Sequence, residues 1–242
     1  MMDVPVAPPG RPRLIVNADD FGQSDGINQG VAEARRQGIV TSASLMVRWP
    51  SAIAAADQAL AHPDLSVGLH IDLGEWEFRA QRWQPIYTVL PSLDDAGAVE
   101  REVDAQVSRF RDLMGRPPSH LDSHQHVHRS EPVASIVSRV ASALGVPLRG
   151  TGSLVRYSGA FYGQGSKGEP DPRAISVDSL LAILRSLEPG VTELGSHPGV
   201  GSAIPGPYSS ERNHEVAALC DPRVISTILE YGVELCSFSD LP

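Results

Sequence analysis

The sequence predicts an α/β fold, a single-domain (β/α) barrel that is distorted or seven-stranded and TIM-like. Three observations lead there. Short apolar runs alternate with amphipathic helical stretches about seven times, the pattern of a parallel sheet with crossover helices. At 242 residues the chain has a length that such barrels fill as one domain. Carboxylates and imidazoles recur where the apolar runs end, which is where α/β folds gather functional groups.

The elements follow in order. Residues 1–12 are rich in Pro and read as a flexible leader, with one domain over 13–242. Leu14-Ile15-Val16 is a buried-strand signal that runs into a polar turn over 17–22. Ser24 or Asp25 can cap a helix to Gln37, and Gly38 stops it. Strand, helix and strand are expected over 40–47, 51–61 and 65–73. The stretch 74–95 has no clear period and reads as a long loop, the kind that often forms a lid or binding wall. Val99, Val103, Val107, Phe110 and Met114 recur at helical spacing before Gly115-Arg116-Pro117-Pro118 ends the helix. A strand running into a loop is expected over 120–128, then helix over 131–144, a short strand over 146–149 and a Gly-rich loop over 150–168. Helix over 175–187, strand over 191–196, helix over 215–231 and strand over 233–238 complete the chain.

Composition narrows the function classes. A formal net charge of −9 argues against nucleic acid or an anionic membrane as the main partner. No apolar stretch approaches the ~20 residues needed to cross a bilayer. The two cysteines, Cys220 and Cys236, lack metal-site spacing, so a cytoplasmic location is the default.

The candidate chemistry lies at four strand ends. Asp19 and Asp20 close the first strand, His70 lies near the end of the third, and His197 ends the sixth. Between them, His120-Leu121-Asp122-Ser123-His124-Gln125-His126-Val127-His128 puts four histidines into nine positions. If that segment stays extended, His120, Asp122, His124, His126 and His128 line one face at period two. Carboxylate and imidazole donors with open positions suit a catalytic divalent metal. Each residue also has a bland reading. Asp19-Asp20 can be a helix-capping turn, His70 a core histidine, His197 a turn residue, and Arg149 a surface charge or a partner that fixes a carboxylate.

At these residues the sequence resembles the YdjC/ChbG-like carbohydrate deacetylases, a branch of the polysaccharide-deacetylase-like barrel hydrolases. The matching segments are Leu14-Ile15-Val16-Asn17-Ala18-Asp19-Asp20-Phe21-Gly22, Gly38-Ile39-Val40-Thr41-Ser42, Val67-Gly68-Leu69-His70 and the His-rich run. Ala160-Phe161-Tyr162-Gly163 and His197-Pro198 follow more weakly. The resemblance implies one divalent ion, magnesium or zinc, held by Asp20, His70 and His124. It also implies Asp19 as catalytic base and His197 as its acid–base partner. Family members often carry a third His where Gln125 stands.

The implied reaction is removal of acetyl groups from N-acetylated mono- or oligosaccharides by metal-activated water. Arg149, Tyr162, His126 and His128 are expected as substrate contacts, and Trp76, Trp83 and Tyr87 as either ring-stacking groups or loop anchors. A homodimer is left open. Two other readings remain: a metal-dependent phosphoesterase, and a sugar-binding protein on the same scaffold without catalysis.

Overall fold

In the computed structural model, residues 10–201 and 206–241 are described; most of the expected leader, residues 1–9, lies outside them. The first strand, β1 (Pro12–Phe21), is longer than its apolar triplet suggests and is buried from Leu14 onward. It pairs in parallel with β2 (Ser42–Leu45) and β8 (Gly190–Ser196). With β3 (Ser66–Ile71), β6 (Leu121–Ser123), β7 (Val155–Ser158) and β9 (Glu234–Leu235), these strands form one seven-stranded parallel sheet. Its order is β6-β3-β2-β1-β8-β7, with β9 beside the first half of β1. Every residue of β2 and β3 is buried, as expected for a parallel sheet covered by helices. Among the described residues no ladder joins β6 to β7, so the curled sheet keeps an open seam. Only the bridge Leu121–Leu148 lies along it, which is all that forms of the strand expected over 146–149.

The helices start and stop where local chemistry dictates. Ser24 Oγ accepts from Ile27 N at the start of α1 (Asp25–Gln37), satisfying one of the donors a helix N-terminus leaves unpaired. α2 (Ala52–Leu60) follows. α3 (Ala96–Met114) is capped by Asp95 and ends on Gly115 at φ 65, a left-handed stop that favours glycine. α4 (Val133–Leu144) and α5 (Val177–Arg185) also cover the sheet. The single helix expected over 215–231 is two, α6 (Ser209–Leu219) and α7 (Pro222–Glu230). Pro222 has no N–H to continue the ladder, and Asp221 caps the new helix instead.

Two further expectations are corrected. The aperiodic stretch after β3 is an antiparallel hairpin, β4 (Gly74–Arg79) with β5 (Arg82–Thr88). Its two-residue turn, Ala80-Gln81, has both φ angles positive. That suits the twist of a hairpin but lacks the Asn-Gly signature that would announce it. The His-rich segment does not stay extended. It leaves β6 at Ser123 and winds through a tight 3-10 turn, His124–Arg129, with Gln125 and His126 at φ 49 and 54. The period-two face of five residues therefore does not form.

Close backbone packing carries the strand ends into position. A Cβ on Gly30 of α1 would lie 2.3 Å from the Cα of Gly199, two residues beyond His197, and Val200 N donates to Gly26 O at 2.9 Å. Gly30→Ala is expected to cost about 1–3 kcal/mol through overpacking. That outweighs the ~1 kcal/mol Ala gains over Gly in a helix. A urea midpoint equal to the parent's would show that α1 and this loop are not locked together.

Candidate active site

The site begins with a break in β1. The register against β2 shifts between Ala18 and Phe21, and Asp20 sits at φ 63, a conformation costly for a residue with a Cβ. A bulge of this kind re-aims side chains. Here both adjacent carboxylates turn toward the rim rather than to opposite faces of the sheet.

Asp20 Oδ1 meets two imidazoles. His70 Nε2, from the end of β3, is 3.3 Å away and His124 Nδ1, from the turn after β6, is 3.0 Å away. The three residues offer donor atoms all within 4.8 Å of one another. Asp20 Oδ1 is buried without a well-aligned hydrogen bond. Donors bound at the ~2.0–2.1 Å typical of zinc stand roughly 3.3 Å apart in a tetrahedral shell, so this spacing fits a divalent cation. Burial opposes charge on both rings, but Asp122 and Asp20 override it for His70, and Asp20 does so for His124. Both pKa values are raised. The cluster thus favours positive charge between its donors. The other oxygen, Asp20 Oδ2, accepts from Arg212 Nη2 at 2.6 Å.

Asp19 is held differently. Arg149 donates to both its oxygens at 2.6 and 2.7 Å, and Asn17 Nδ2 donates to Oδ1 at 2.8 Å. Burial raises the Asp19 pKa, the Arg149 guanidinium outweighs this, and the carboxyl is held below its usual value. The same guanidinium, fully buried, reaches Asp122 Oδ2 at 2.6 Å and Glu193 Oε1 at 2.7 Å. Three carboxylates thus share one guanidinium, and burial pushes Glu193 up to about 7. Asp122 links this group to the first, because its Oδ1 lies 2.8 Å from His70 Nδ1.

His197 Nε2 is 3.8 Å from Asp19 Oδ2. Burial pushes its pKa down to about 4, so the ring is neutral near pH 7. Glu215 of α6 accepts from the His197 backbone N–H and from the Tyr208 hydroxyl, and burial raises Glu215 to about 8. Tyr162 stacks on Tyr208 at 4.7 Å and meets the His197 ring edge-on at 5.2 Å.

One cavity of about 610 Å³ is lined by Asp19, Asp20, His70, His124, His126, Tyr162 and His197. Sequence reasoning singled out all seven. Arg149 and His128 do not line it. Arg149 is consumed by its carboxylates. The His128 ring is tied to Ser123 Oγ at 2.6 Å and to the Arg149 carbonyl at 3.2 Å. His126 Nε2 lies 3.2 Å from the Tyr157 hydroxyl. The hairpin aromatics divide: Trp76 and Trp83 border the cavity with Phe78, whereas Tyr87 donates to Asp72 and packs edge-on against Trp49.

Several contributors went unassigned from the sequence. Glu193 carried a usable signal, a lone charge inside the apolar run of β8. Arg212, Glu215 and Tyr208 lie on or beside α6, where polar residues look like any solvated helix face. Glu75 and Gln125 carried no periodic signal.

The family model for YdjC-like proteins matches residues 13–230. The carbohydrate deacetylase of Geobacillus stearothermophilus is 33% identical over 254 residues, covering 93% of this chain and 96% of that protein. The chitooligosaccharide deacetylase of Serratia marcescens is 33% identical over 260 residues, covering 94% and 98%. Among solved structures, an Enterococcus faecalis protein described as a cellobiose-phosphate cleavage protein superposes with a TM-score of 0.76. It is 27% identical, with 95% of this chain and 98% of that one covered. A peptidoglycan N-acetylglucosamine deacetylase superposes at 0.60 with 12% identity over 97% and 89%, a likeness of fold alone. With the model match spanning most of the chain and relatives at this identity over nearly its whole length, the chain belongs to the YdjC-like protein family.

Proposed function

We propose that this protein is a carbohydrate N-deacetylase that hydrolyses the acetamide of N-acetylated sugars at a divalent cation held by Asp20, His70 and His124. The observation that carries the reading is the convergence of that donor set with Asp19 and His197 on one cavity wall. The names of the bacterial relatives support the same class of reaction. When bound, the cation supplies a polarised amide carbonyl and an acidified water.

The chain's own groups handle the proton. Asp19, kept ionised by Arg149, accepts it from the attacking water as the oxygen bonds to the carbonyl carbon. His197, neutral and 3.8 Å from Asp19, receives that proton and delivers it to the departing nitrogen. The C–N bond breaks, the amine keeps the proton, and acetate leaves. Burial makes protonated His197 a stronger acid than an ordinary imidazolium, which suits delivery to a leaving group. Arg149 acts here as the clamp on the base rather than as a sugar contact. The phosphoesterase reading loses Arg149 for the same reason; of the basic residues that do line the cavity, Arg212 is paired with Asp20, which leaves Lys167.

The substrate reading is an oligosaccharide. The cavity has the size of ligand sites in general and runs from Asp20 to an aromatic shelf. On that shelf Trp83 is 54% exposed and edge-on to Phe78 at 5.7 Å. Such rings offer apolar faces to sugars beyond the one being hydrolysed.

Acetate release from N-acetylglucosamine oligomers by metal-loaded protein tests the activity; inertness toward the whole series would overturn it. Asp19→Asn should lower turnover by about 10²–10⁴-fold with metal still bound, whereas Asp20→Ala should lose the metal. Equal metal content in the two variants, measured by elemental analysis, would refute the division of roles. Trp83→Ala should raise KM for tri- and tetrasaccharides severalfold and leave short substrates unaffected. A uniform change across chain lengths would remove the shelf from substrate binding.

A further inference from the structure

Hairpin β4–β5 brings to the site two carboxylates that the deacetylase reading leaves unused; Glu77 pairs with Arg79, and Glu75 has no Lys or Arg partner among the described residues. Glu75, the second residue of β4, is 7% exposed and borders the cavity. Its side chain makes no hydrogen bond among the described residues. Its Oε2 faces His124 Nε2 at 3.9 Å, and that nitrogen is itself buried and without a hydrogen-bond partner among the described residues. A buried ring nitrogen thus faces a carboxylate oxygen that makes no hydrogen bond among the described residues, and the ring's opposite nitrogen, Nδ1, lies 3.0 Å from Asp20 Oδ1.

His70 shows the same arrangement already closed, with its nitrogens exchanged. Its Nδ1 lies 2.8 Å from Asp122 Oδ1, and its Nε2 lies 3.3 Å from Asp20 Oδ1. A neutral imidazole carries a single N–H. The nitrogen that donates it to a carboxylate leaves the other nitrogen's lone pair free for a cation.

The local backbone is built to aim Glu75. Gly74 sits at φ +138, where a Cβ would lie 2.9 Å from both the Trp76 ring and the Tyr87 carbonyl. A register shift between Glu75 and Trp76 bulges the hairpin there. Gln125, the residue after His124, pins it by accepting from Trp76 N at 2.9 Å and donating to Trp76 O at 2.8 Å. Gln106 anchors the hairpin root, accepting from Asp72 N and donating to Asp72 O. The hairpin is fastened at both sides of Glu75, so its carboxylate is held near His124 rather than swinging free.

We infer that Glu75 is a positioning residue for the metal centre: it accepts the Nε2–H of His124 and so presents Nδ1 to the cation, the role Asp122 plays for His70 through the opposite nitrogen. The inference rests on the ligand set of the proposed function. Closing the gap to a hydrogen bond needs a movement of about 1 Å. It follows that the hairpin forming the substrate wall also supports the metal, so its sequence sets cation affinity as well as sugar fit.

Zinc binding to the parent, Glu75→Gln, Glu75→Ala and the control Glu77→Gln, measured by competition with a chromophoric chelator, tests this without any turnover. Both Glu75 variants should bind zinc ten- to hundredfold more weakly, the usual effect of removing such a carboxylate. Glu77→Gln, whose carboxylate pairs with Arg79, should stay within twofold. In the zinc-loaded parent, ¹⁵N NMR of His124 should show Nδ1 ligated and a proton on Nε2. Zinc affinities within twofold of the parent for both Glu75 variants would overturn the inference, as would ligation through Nε2. A rise only in sugar KM would likewise overturn it and make Glu75 a substrate contact. Weakened zinc binding in a protein inert toward every N-acetyl sugar would uphold this role and refute the deacetylase reading instead.

Discussion

The buried guanidinium of Arg149 is the interaction on which the rest of the site depends. A charge with no access to water must be paired on all sides. Arg149 meets that condition with Asp19 from β1, Asp122 from β6 and Glu193 from β8. It thereby ties β6, at one edge of the open seam, to β1 and β8, with which β6 shares no backbone ladder among the described residues. It also arranges the site's electrostatics: Asp19 is kept ionised, Asp122 is turned to His70, and the excess negative charge is absorbed by a Glu193 that titrates near neutrality. Removing the guanidinium would leave three carboxylates facing one another in a dry interior.

A second constraint is backbone strain at the rim. Asp20, Gln125 and His126 all occupy left-handed conformations without being glycine, and each lies beside or within the donor cluster. Strain of this kind persists only where surrounding contacts over-determine it. Those contacts are visible: Arg212 on Asp20, the Trp76 backbone on Gln125, and Tyr157 on His126. The bulge that strains Asp20 is what lets two successive carboxylates serve one cavity, one beside the imidazoles and one beside His197.

Much of this was legible in the chain. The alternation of apolar runs and helical stretches gave the barrel, because a parallel sheet covered on both faces needs continuous hydrophobic strands. Asp19, Asp20, His70, the His-rich run and His197 stood out because functional groups in such folds gather at strand ends; the choice of Asp20, His70 and His124 among them came from the family resemblance. The hairpin was missed because its turn uses Ala80-Gln81, β5 is largely exposed and β4 is buried only at its start, leaving neither a turn signature nor an alternating pattern. The split of α6 from α7 at Asp221-Pro222 was readable in principle, since Pro and a capping Asp stand together there.

By itself the sequence determined many of the local choices: the parallel strands β1, β2, β3, β6 and β8, where Ser24 and Gly115 begin and end helices, and the Asp and His residues that close those strands. Those follow from side-chain periodicity and short-range hydrogen bonding, both written along the chain. Only the tertiary structure decided what each charged group does. Arg149 became the clamp on Asp19 rather than a sugar contact, and His128 a buried strut. Glu75, Arg212 and Glu215 came into the site from a hairpin and a helix far away in sequence. A charge takes its role from the charges folded against it and from its exclusion from water, and neither is encoded in spacing.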